Sequence, residues 1–435
     1  MWEKLEQRLA EKKTSLRDEV LGGVTTFATM AYIAVVNPSI LSTAVGEEWM
    51  GALMIATCLS AAVATALMGA LTDYPIALAP GMGLNAYFTY TVCLQMEVPW
   101  QIGLGAVFIS GVLFLALTAV NVQEMLVNAI PASIRHGTAA GIGIFIAFIG
   151  LQNSGIIVEN PATLVSLGDY ASAEVLLALA GIILIGSLTL WKVRGAIIIG
   201  ILAVSVVGIL FGVSPPPEAV AAWPMWPGEI VGQAFANLGA AFDMGVVTIV
   251  VTFLFVDLFD TAGTLTGVGS VAGLVDEKGR LPKARRAFIA DGLGTCFGAA
   301  MGTSTVTSYI ESAAGVAQGA RTGLANYVTA ALFLLAIPLF PLAKAIPGYA
   351  TAPALFVVGV IMCSQIAKID WDDIAEALPG MAVMIGIPLT YSIADGLSLA
   401  FLIHPVLLGT GGRWRDVHWL GWLLAALVVL RYSLL

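Results

Sequence analysis

Hydrophobic positions along this chain gather into long, nearly unbroken runs separated by short polar connections. The runs lie near residues 20–43, 50–71, 76–94, 101–120, 135–157, 172–190, 195–213, 244–273, 285–302, 304–318, 325–343, 352–368, 377–404 and 416–432. About twenty apolar residues carry an α-helix across the hydrocarbon of a bilayer. Barrel strands would alternate with period two, and these runs do not. The pattern predicts an all-α polytopic membrane protein with about fourteen transmembrane segments. Trp49, Trp100, Trp191, Trp223, Trp226 and Trp371 fall in or beside connections, where interfacial anchors belong.

Composition sharpens the picture. Hydrophobic residues make up 59% of the chain and charged ones 11%, against roughly 45–50% and 25% in soluble domains. A water-soluble globule is thereby excluded. The 19 Lys/Arg and 28 Asp/Glu residues give a net charge of -9 but sit in connections. No basic stripe tracks a phosphate backbone, so nucleic acid is not an expected partner. Cys58, Cys93, Cys296 and Cys363 stand alone in apolar runs and read as small buried hydrophobes. Residues 1–18 form a charged amphipathic stretch without the short apolar core and cleavage site of a signal peptide, so the first span is expected to stay.

Basic residues set the expected orientation. Lys4, Arg8, Lys12, Lys13 and Arg17 place the N-terminus in the cytoplasm. Lys192 with Arg194, and the cluster Lys278, Arg280, Lys283, Arg285 and Arg286, follow even numbers of spans and fall on the same side. The connection from Ser214 to Glu229, with Pro215, Pro216 and Pro217, carries no Lys or Arg. One run conflicts. If 377–404 crosses straight, Arg413 and Arg415 land outside; if it folds back at Ala394-Asp395-Gly396 as a V, they stay inside. Short loops favour the V.

Seven spans precede the Pro-rich linker and about seven follow. An odd number per half makes the second half enter from the opposite side, the arithmetic of an inverted repeat common among secondary transporters. The expected divisions are a cytoplasmic segment 1–18, a first repeat 19–213, an extracytoplasmic linker 214–230 and a second repeat 231–435. The third and tenth runs are broken by small residues at corresponding places: Ala79-Pro80-Gly81-Met82-Gly83-Leu84-Asn85 and Gly302-Thr303-Ser304-Thr305-Val306-Thr307-Ser308. Each is expected to begin as a short extended piece and continue as a half-helix. Such paired interruptions point to a binding site near the bilayer midplane.

Charge inside the runs supplies the candidate chemistry. Thirteen uncharged residues, MGVVTIVVTFLFV, separate Asp243 from Asp257, about 20 Å of helix. Asp257 therefore lies near mid-membrane, with Asp260 three residues on and sharing its face. A carboxylate there costs at least ~2.5–3.5 kcal/mol and needs a cavity or a partner. The competing reading is a structural pair that satisfies broken helix ends. Glu311 stands just past the break of the tenth run, to face a ligand or to cap free N–H groups. Asn85 is its polar counterpart in the first half, with Tyr87 and Phe88 beside it; an amide bridging broken helices is the alternative. Asp395 precedes Gly396 at an apparent helix break, where capping explains it. Asp291, Arg135, His136, His404 and His418 are placed near span ends. No His/Cys grouping has metal-ligand spacing, and no phosphate loop or nucleophile elbow occurs, so neither metal, cofactor nor enzymatic role is expected. Two acids and an amide suit a small neutral solute rich in N–H donors, or a cation, and repel a permanent anion. With no basic side chain nearby, Asp257 and Glu311 are candidate acceptors of a coupled proton, and proton is favoured over sodium.

Four stretches then carry a resemblance: RDEVLGGVTTFATMAYIAVVNPSIL, APGMGLNAYFTY, FVDLFDTAGTLTG and GTSTVTSYIESAAGVAQGARTGL. In order and spacing they resemble the nucleobase–cation symporter-2 superfamily, in particular its AzgA-like branch of hypoxanthine, guanine and adenine permeases. The likeness runs over nearly the whole chain. It implies a core domain of segments 1–4 and 8–11 that carries substrate, and a gate domain of segments 5–7 and 12–14. It places the base-binding acid of segment eight on Asp257, a further acid on Asp260, the segment-ten glutamate on Glu311 and the segment-three asparagine on Asn85. The uracil and xanthine branches have glutamate at the segment-eight position, and the uracil carrier has a histidine one turn on. Here Asp257 and Thr261 stand there, which leaves room for a larger purine.

The expected function is import of purine nucleobases across the cell membrane by proton symport with alternating access. Glu311 and Asp257 would accept ring N–H groups, backbone N–H groups around Tyr87 and Ile310 would receive a carbonyl, and Tyr309 or Phe88 would stack. Alternatives are another small solute on the same fold (uracil, xanthine or an anion), a channel, or an intramembrane enzyme. Whether two copies form a homodimer is left open by the sequence.

Overall fold

In a bilayer the backbone must satisfy itself, and small residues must let helices approach closely enough to replace the hydrophobic drive that water would provide. Both rules shape the computed structural model, which describes residues 2–120, 130–236, 238–239, 244–275 and 281–434. Asp243, Lys278 and Arg280 lie outside the described residues, as do the side chains of Lys4 and Arg8.

After a short helix, Trp2–Glu11, segment 1 runs over Leu16–Met30, turns at Ala31-Tyr32 and resumes over Ile33–Val45. Ser15 caps its start, its Oγ accepting from the Asp18 amide at 3.2 Å. Segment 2 is Met50–Thr72 and segment 4 Trp100–Ala119; segments 5, 6 and 7 are Ala132–Asn153, Ala173–Leu190 and Ala196–Leu210. In the second half, segments 8 and 9 are Met244–Val271 and Ala284–Met301. Segment 11 is Leu324–Ala336 with a short continuation Phe340–Lys344, and segment 12 is Gly348–Met362. Segments 3 and 10 are broken, as the sequence predicts: strand β1 (Leu78–Pro80) precedes a helix from Met82 to Gln95, and a second short strand, Val306–Ser308, precedes the helical turn and a half Ser312–Ala317. An antiparallel hairpin of β2 (Ile157–Asn160) and β3 (Leu164–Leu167) decorates the connection between segments 5 and 6, so the strand Val306–Ser308 is β4.

The packing repeats itself with an offset of seven segments. Segments 2 and 11 pack together, as do 9 and 4; segment 1 lies on 11 as 8 lies on 4. Segment 5 packs on 13 (Ile374–Thr390) as 12 packs on 6, and 6 pairs with 7 as 13 pairs with 14 (Ile393–Thr410). This is the seven-plus-seven inverted repeat. Glycine pairs bring its backbones close together. A Cβ on Gly69 of segment 2 would lie 2.8 Å from the Gly323 carbonyl oxygen, and one on Gly323 would lie 2.6 Å from that of Gly69. Gly143 and Gly359 meet the same way across segments 5 and 12, at 2.7 and 2.3 Å.

The run 377–404 does fold back, but the turn comes earlier than Ala394-Asp395-Gly396. Helix 13 ends at Thr390, Tyr391 takes a left-handed conformation (φ 53°), and Ser392 caps helix 14 by accepting from the Asp395 amide at 3.1 Å. Pro388 near the end of helix 13 and the cap signal Ser-x-x-Asp explain the stop and restart. The far ends then meet: Arg413 Nη1 donates to Asp373 Oδ2 at 2.7 Å. The two halves of this run are thus segments 13 and 14, and the last helix, Trp419–Leu434, follows outside the repeat.

Candidate functional site

The site begins with two strands that ought not to exist in a membrane. β1 and β4 pair antiparallel, Leu78 opposite Ser308, Ala79 opposite Thr307 and Pro80 opposite Val306. A two-stranded ribbon has two bare edges, each costly in a dry interior. Hydroxyls from flanking helices fill them in symmetric fashion. Thr65 Oγ1 of segment 2 accepts from the Leu78 amide at 2.9 Å, and Thr295 Oγ1 of segment 9 donates to the Val306 carbonyl at 2.8 Å. Ser312 Oγ takes the Ala77 amide at 2.9 Å, and Gly81 and Tyr309 amides close the ends on Thr305 and Ala77 carbonyls. Asn326 ties the preceding loop by donating to the carbonyls of Thr65, Tyr74 and Ile76.

Four acids gather around this ribbon. Asp257 is 2% exposed; the Thr295 hydroxyl lies 3.4 Å from its Oδ2, and its Oδ1 has no hydrogen-bond partner among the described residues. Asp260, one turn on, is exposed and turned toward β4 and the Tyr309–Glu311 turn, within electrostatic reach of Asp257 and Glu311. Glu311 sits at the N-cap of Ser312–Ala317 but makes no capping bond; its Oε1 instead accepts from Tyr32 Oη at 3.0 Å. The capping reading of Glu311 therefore fails, and its carboxylate is directed sideways.

The fourth acid corrects the sequence reading. Asp291 is not at a water-facing span end. It is fully buried in segment 9, beside Asp257 and Asp260, and neither carboxyl oxygen has a hydrogen-bond partner among the described residues. The signal was available: no other charge falls between Arg286 and Glu311. His404 likewise proves buried rather than terminal, with Nε2 3.6 Å from Glu376 Oε1.

Other expected residues divide. Asn85 takes the bridging role: its Nδ2 donates to Asn37 Oδ1 at 2.8 Å, while Asn37 Nδ2 donates to Thr57 and Thr303 hydroxyls at 2.8 and 2.9 Å. This buried knot, with Asn37 unforeseen, pins segments 1, 2, 3 and 10 together. Thr261 is buried, its Oγ1 2.9 Å from Thr307 Oγ1. The Tyr87 amide is spent inside its helix on the Gly83 and Leu84 carbonyls, so it is not free to receive a solute carbonyl. The Ile310 amide makes no backbone hydrogen bond among the described residues. Tyr309 lies beside Glu311 and Asp260 and donates to the Pro80 carbonyl. Phe88 is buried with its ring against Gly103 of segment 4, which removes it as a stacking ring.

A crevice opens in front of Asp260. Asp260, Gly263 and Gly267 form one stripe of segment 8; nothing lies within 4 Å of a Cβ built on Gly263, and Ile310 Cδ1 lies 3.4 Å from one on Gly267. The stripe leads toward Val271, the end near Lys283, Thr72, Asp73 and Gly323, which hydrogen bonds join on one face. The opposite side is shut. Tyr87 meets Phe253 edge-on, centroids 5.2 Å apart, Thr91 Oγ1 donates to the Tyr391 carbonyl, and Gln95 Nε2 donates to the Thr390 carbonyl at 3.0 Å.

Paired broken segments and a cluster of intramembrane acids describe a transporter. Residues 17–399 match the Permease family (Xan_ur_permease). The chain belongs to that family. Among the permease's relatives, the guanine/hypoxanthine permease PbuG of Bacillus subtilis is 43% identical over 94% of each chain. The adenine permease AdeP of Escherichia coli is 41% identical, over 94% of this chain and 91% of that one. The transmembrane domain of a cyanobacterial bicarbonate transporter, BicA, shares the fold: TM-score 0.65 at 16% identity, covering 88% of this chain and 97% of that one. The permease is accordingly a multi-pass membrane transporter, not an enzyme.

Proposed function

We propose that this permease carries purine nucleobases (hypoxanthine, guanine or adenine) across the cell membrane by proton symport with alternating access, its N-terminus in the cytoplasm. The observation that carries the reading is the pair Asp260 and Glu311, facing one crevice beside the β1–β4 ribbon with no cation near them among the described residues. Carboxylates accept N–H groups and repel anions, so the site selects a neutral ring rich in N–H donors. Relatives named for guanine, hypoxanthine and adenine support the purine class. Asp260 and Glu311 accept ring or exocyclic N–H groups, the Ile310 amide meets the ring carbonyl, and Tyr309 supplies the aromatic wall. Asp257 and Asp291 stand behind.

The coupled proton belongs to that second layer. Three neighbouring carboxylates cannot all stay ionised cheaply without a countercharge, and a proton shared among them is the smallest remedy. Asp257, between Asp260 and Asp291, is its proposed carrier, with Glu311 responding through Asp260. The core (segments 1–4 and 8–11) then moves against the gate (5–7 and 12–14), parting the Thr91–Tyr391 and Gln95–Thr390 contacts as the crevice closes.

Uptake of radiolabelled hypoxanthine into proteoliposomes, with an imposed pH gradient and with a protonophore, tests this. The proposal expects uptake that follows the gradient, collapses with the protonophore, and falls at least about 100-fold in Asp257→Asn and Glu311→Gln, a loss of about 2.7 kcal/mol. Wild-type uptake in both variants would refute it.

A further inference from the structure

On the shut side, opposite the crevice, lies a second cavity of about 220 Å³, lined among others by Tyr87, Thr91, Gln95, Thr248, Ser392 and Asp395. A water's share of liquid volume is about 30 Å³, so this space corresponds to about seven waters, or to one flat bicyclic heterocycle. Its described polar lining consists of hydroxyls, a carboxamide and a carboxylate. That set receives N–H donors and disfavours an anion, the same chemistry that the central acids present.

Its position orders the two sites. Thr248 precedes Asp257 on segment 8 by nine residues, about 13 Å of helix. Between them comes Phe253, fully buried and set edge-on against Tyr87 at 70°. Tyr87 therefore belongs to the cavity and to the plug beneath it. The cavity also adjoins the groups that close this side, since Thr91 and Gln95 hold the Thr390 and Tyr391 carbonyls and Ser392 is the next residue.

We infer that this cavity is an outer staging site, which holds an N–H-rich heterocycle before the Tyr87–Phe253 pair admits it to Asp260 and Glu311. The inference rests on the nucleobase reading above. A solute seated there presses on the Gln95–Thr390 and Thr91–Tyr391 contacts, which must part for access from this side.

Equilibrium dialysis of radiolabelled hypoxanthine against the purified full chain, paired with uptake kinetics, tests it. Wild type should bind two molecules per chain. Ala394→Leu, which fills the cavity from its lining, should bind one, with KM for uptake raised about tenfold and the maximal rate within about twofold. Thr248→Val removes a hydroxyl without adding bulk, should raise KM in the same direction, and decides the matter if Ala394→Leu elutes aggregated. Asp260→Asn should lose the central molecule and keep the outer one. If Asp260→Asn keeps both while Ala394→Leu loses one, the staging site stands and the central assignment falls. Wild-type KM and stoichiometry in both Ala394→Leu and Thr248→Val would overturn the inference.

Discussion

Glu19 is a carboxylate in a transmembrane helix that forms no ion pair among the described residues; backbone amides hold it instead. It is fully buried at the start of segment 1, and its Oε1 accepts from the Arg321 and Thr322 amides at 2.8 and 3.0 Å, its Oε2 from the Ala325 amide at 3.2 Å. Ala325 lies in the first turn of segment 11, where its N–H has no intrahelical partner, and Arg321 and Thr322 belong to the turn that leads into it. Hydrogen bonds to a charged group are worth about 1.5–3 kcal/mol each, though not additively. Removing the acceptor while the donors stay buried should cost about 3–5 kcal/mol for the set, as breaking a buried ionic partnership does. Glu19→Gln keeps one oxygen but turns an N–H₂ toward a donor, for about 1–2 kcal/mol. At about 1–2 °C per kcal/mol for a chain of this size, Glu19→Ala should melt at least about 3 °C below wild type, with Glu19→Gln between them. Thermal unfolding in detergent, followed by tryptophan fluorescence, reads this. A Glu19→Ala protein melting within about 1 °C of wild type, or a Glu19→Gln protein less stable than it, would show that the amides find other partners.

The remaining expectations follow from packing and topology. Gly69→Val drives a side chain into the Gly323 backbone and should cost at least about 2 kcal/mol by the same melt, with Gly69→Ala intermediate. Cysteines placed at Asp373 and Arg413 should react with a membrane-impermeant thiol reagent from the same side of sealed vesicles; labelling from opposite sides would mean that residues 374–410 cross straight. The Arg413 guanidinium and the Ala375 amide hold the Asp373 carboxyl below the usual carboxylate range. Because that value is lowered on folding, the contact holds above the ordinary carboxylate value and is lost only as pH falls through the lowered one; wild type and Asp373→Asn should therefore differ in stability at pH 6 and converge only under strong acid. Gln95→Ala removes a bond to the Thr390 carbonyl and should increase labelling of a cysteine at Thr248 from the Pro99 side, whereas unchanged labelling would show that this bond does not hold the side shut.

Spans and breaks were legible because lipid makes their signals coarse: a run of twenty apolar residues or a Gly-Met-Gly interruption needs no tertiary context. The hairpin at Tyr391 was legible in kind but not in place, since the charges of Arg413 and Arg415 report sidedness while the turn depends on how Pro388 and Ser392 divide the helix. Pairing of β1 with β4 was hidden, because three-residue strands carry no periodicity and their edges are completed by Thr65 and Thr295, distant in sequence. Asn85 showed a polar group at the right depth, but only Asn37 reveals that its amide nitrogen is already engaged, while its Oδ1 has no hydrogen-bond partner among the described residues. The order of the acids was likewise invisible. Spacing puts Asp257 and Asp260 on one face, and a difference of three residues, about 300° of helix rotation, still leaves one buried against segment 9 and the other at the crevice. Asp291 was placed near a span end, although Arg285 and Arg286 already occupy the first turn of segment 9 and leave Asp291 about a turn and a half deeper.

The most direct test of the account is a cryo-EM structure of the full chain at saturating hypoxanthine. The ring should lie between Asp260 and Glu311, within hydrogen-bond distance of both carboxylates and beside Tyr309, with Asp257 and Asp291 behind it and no cation among them. A crevice left empty at saturation, or a sodium ion seated between Asp257 and Asp291, would contradict it.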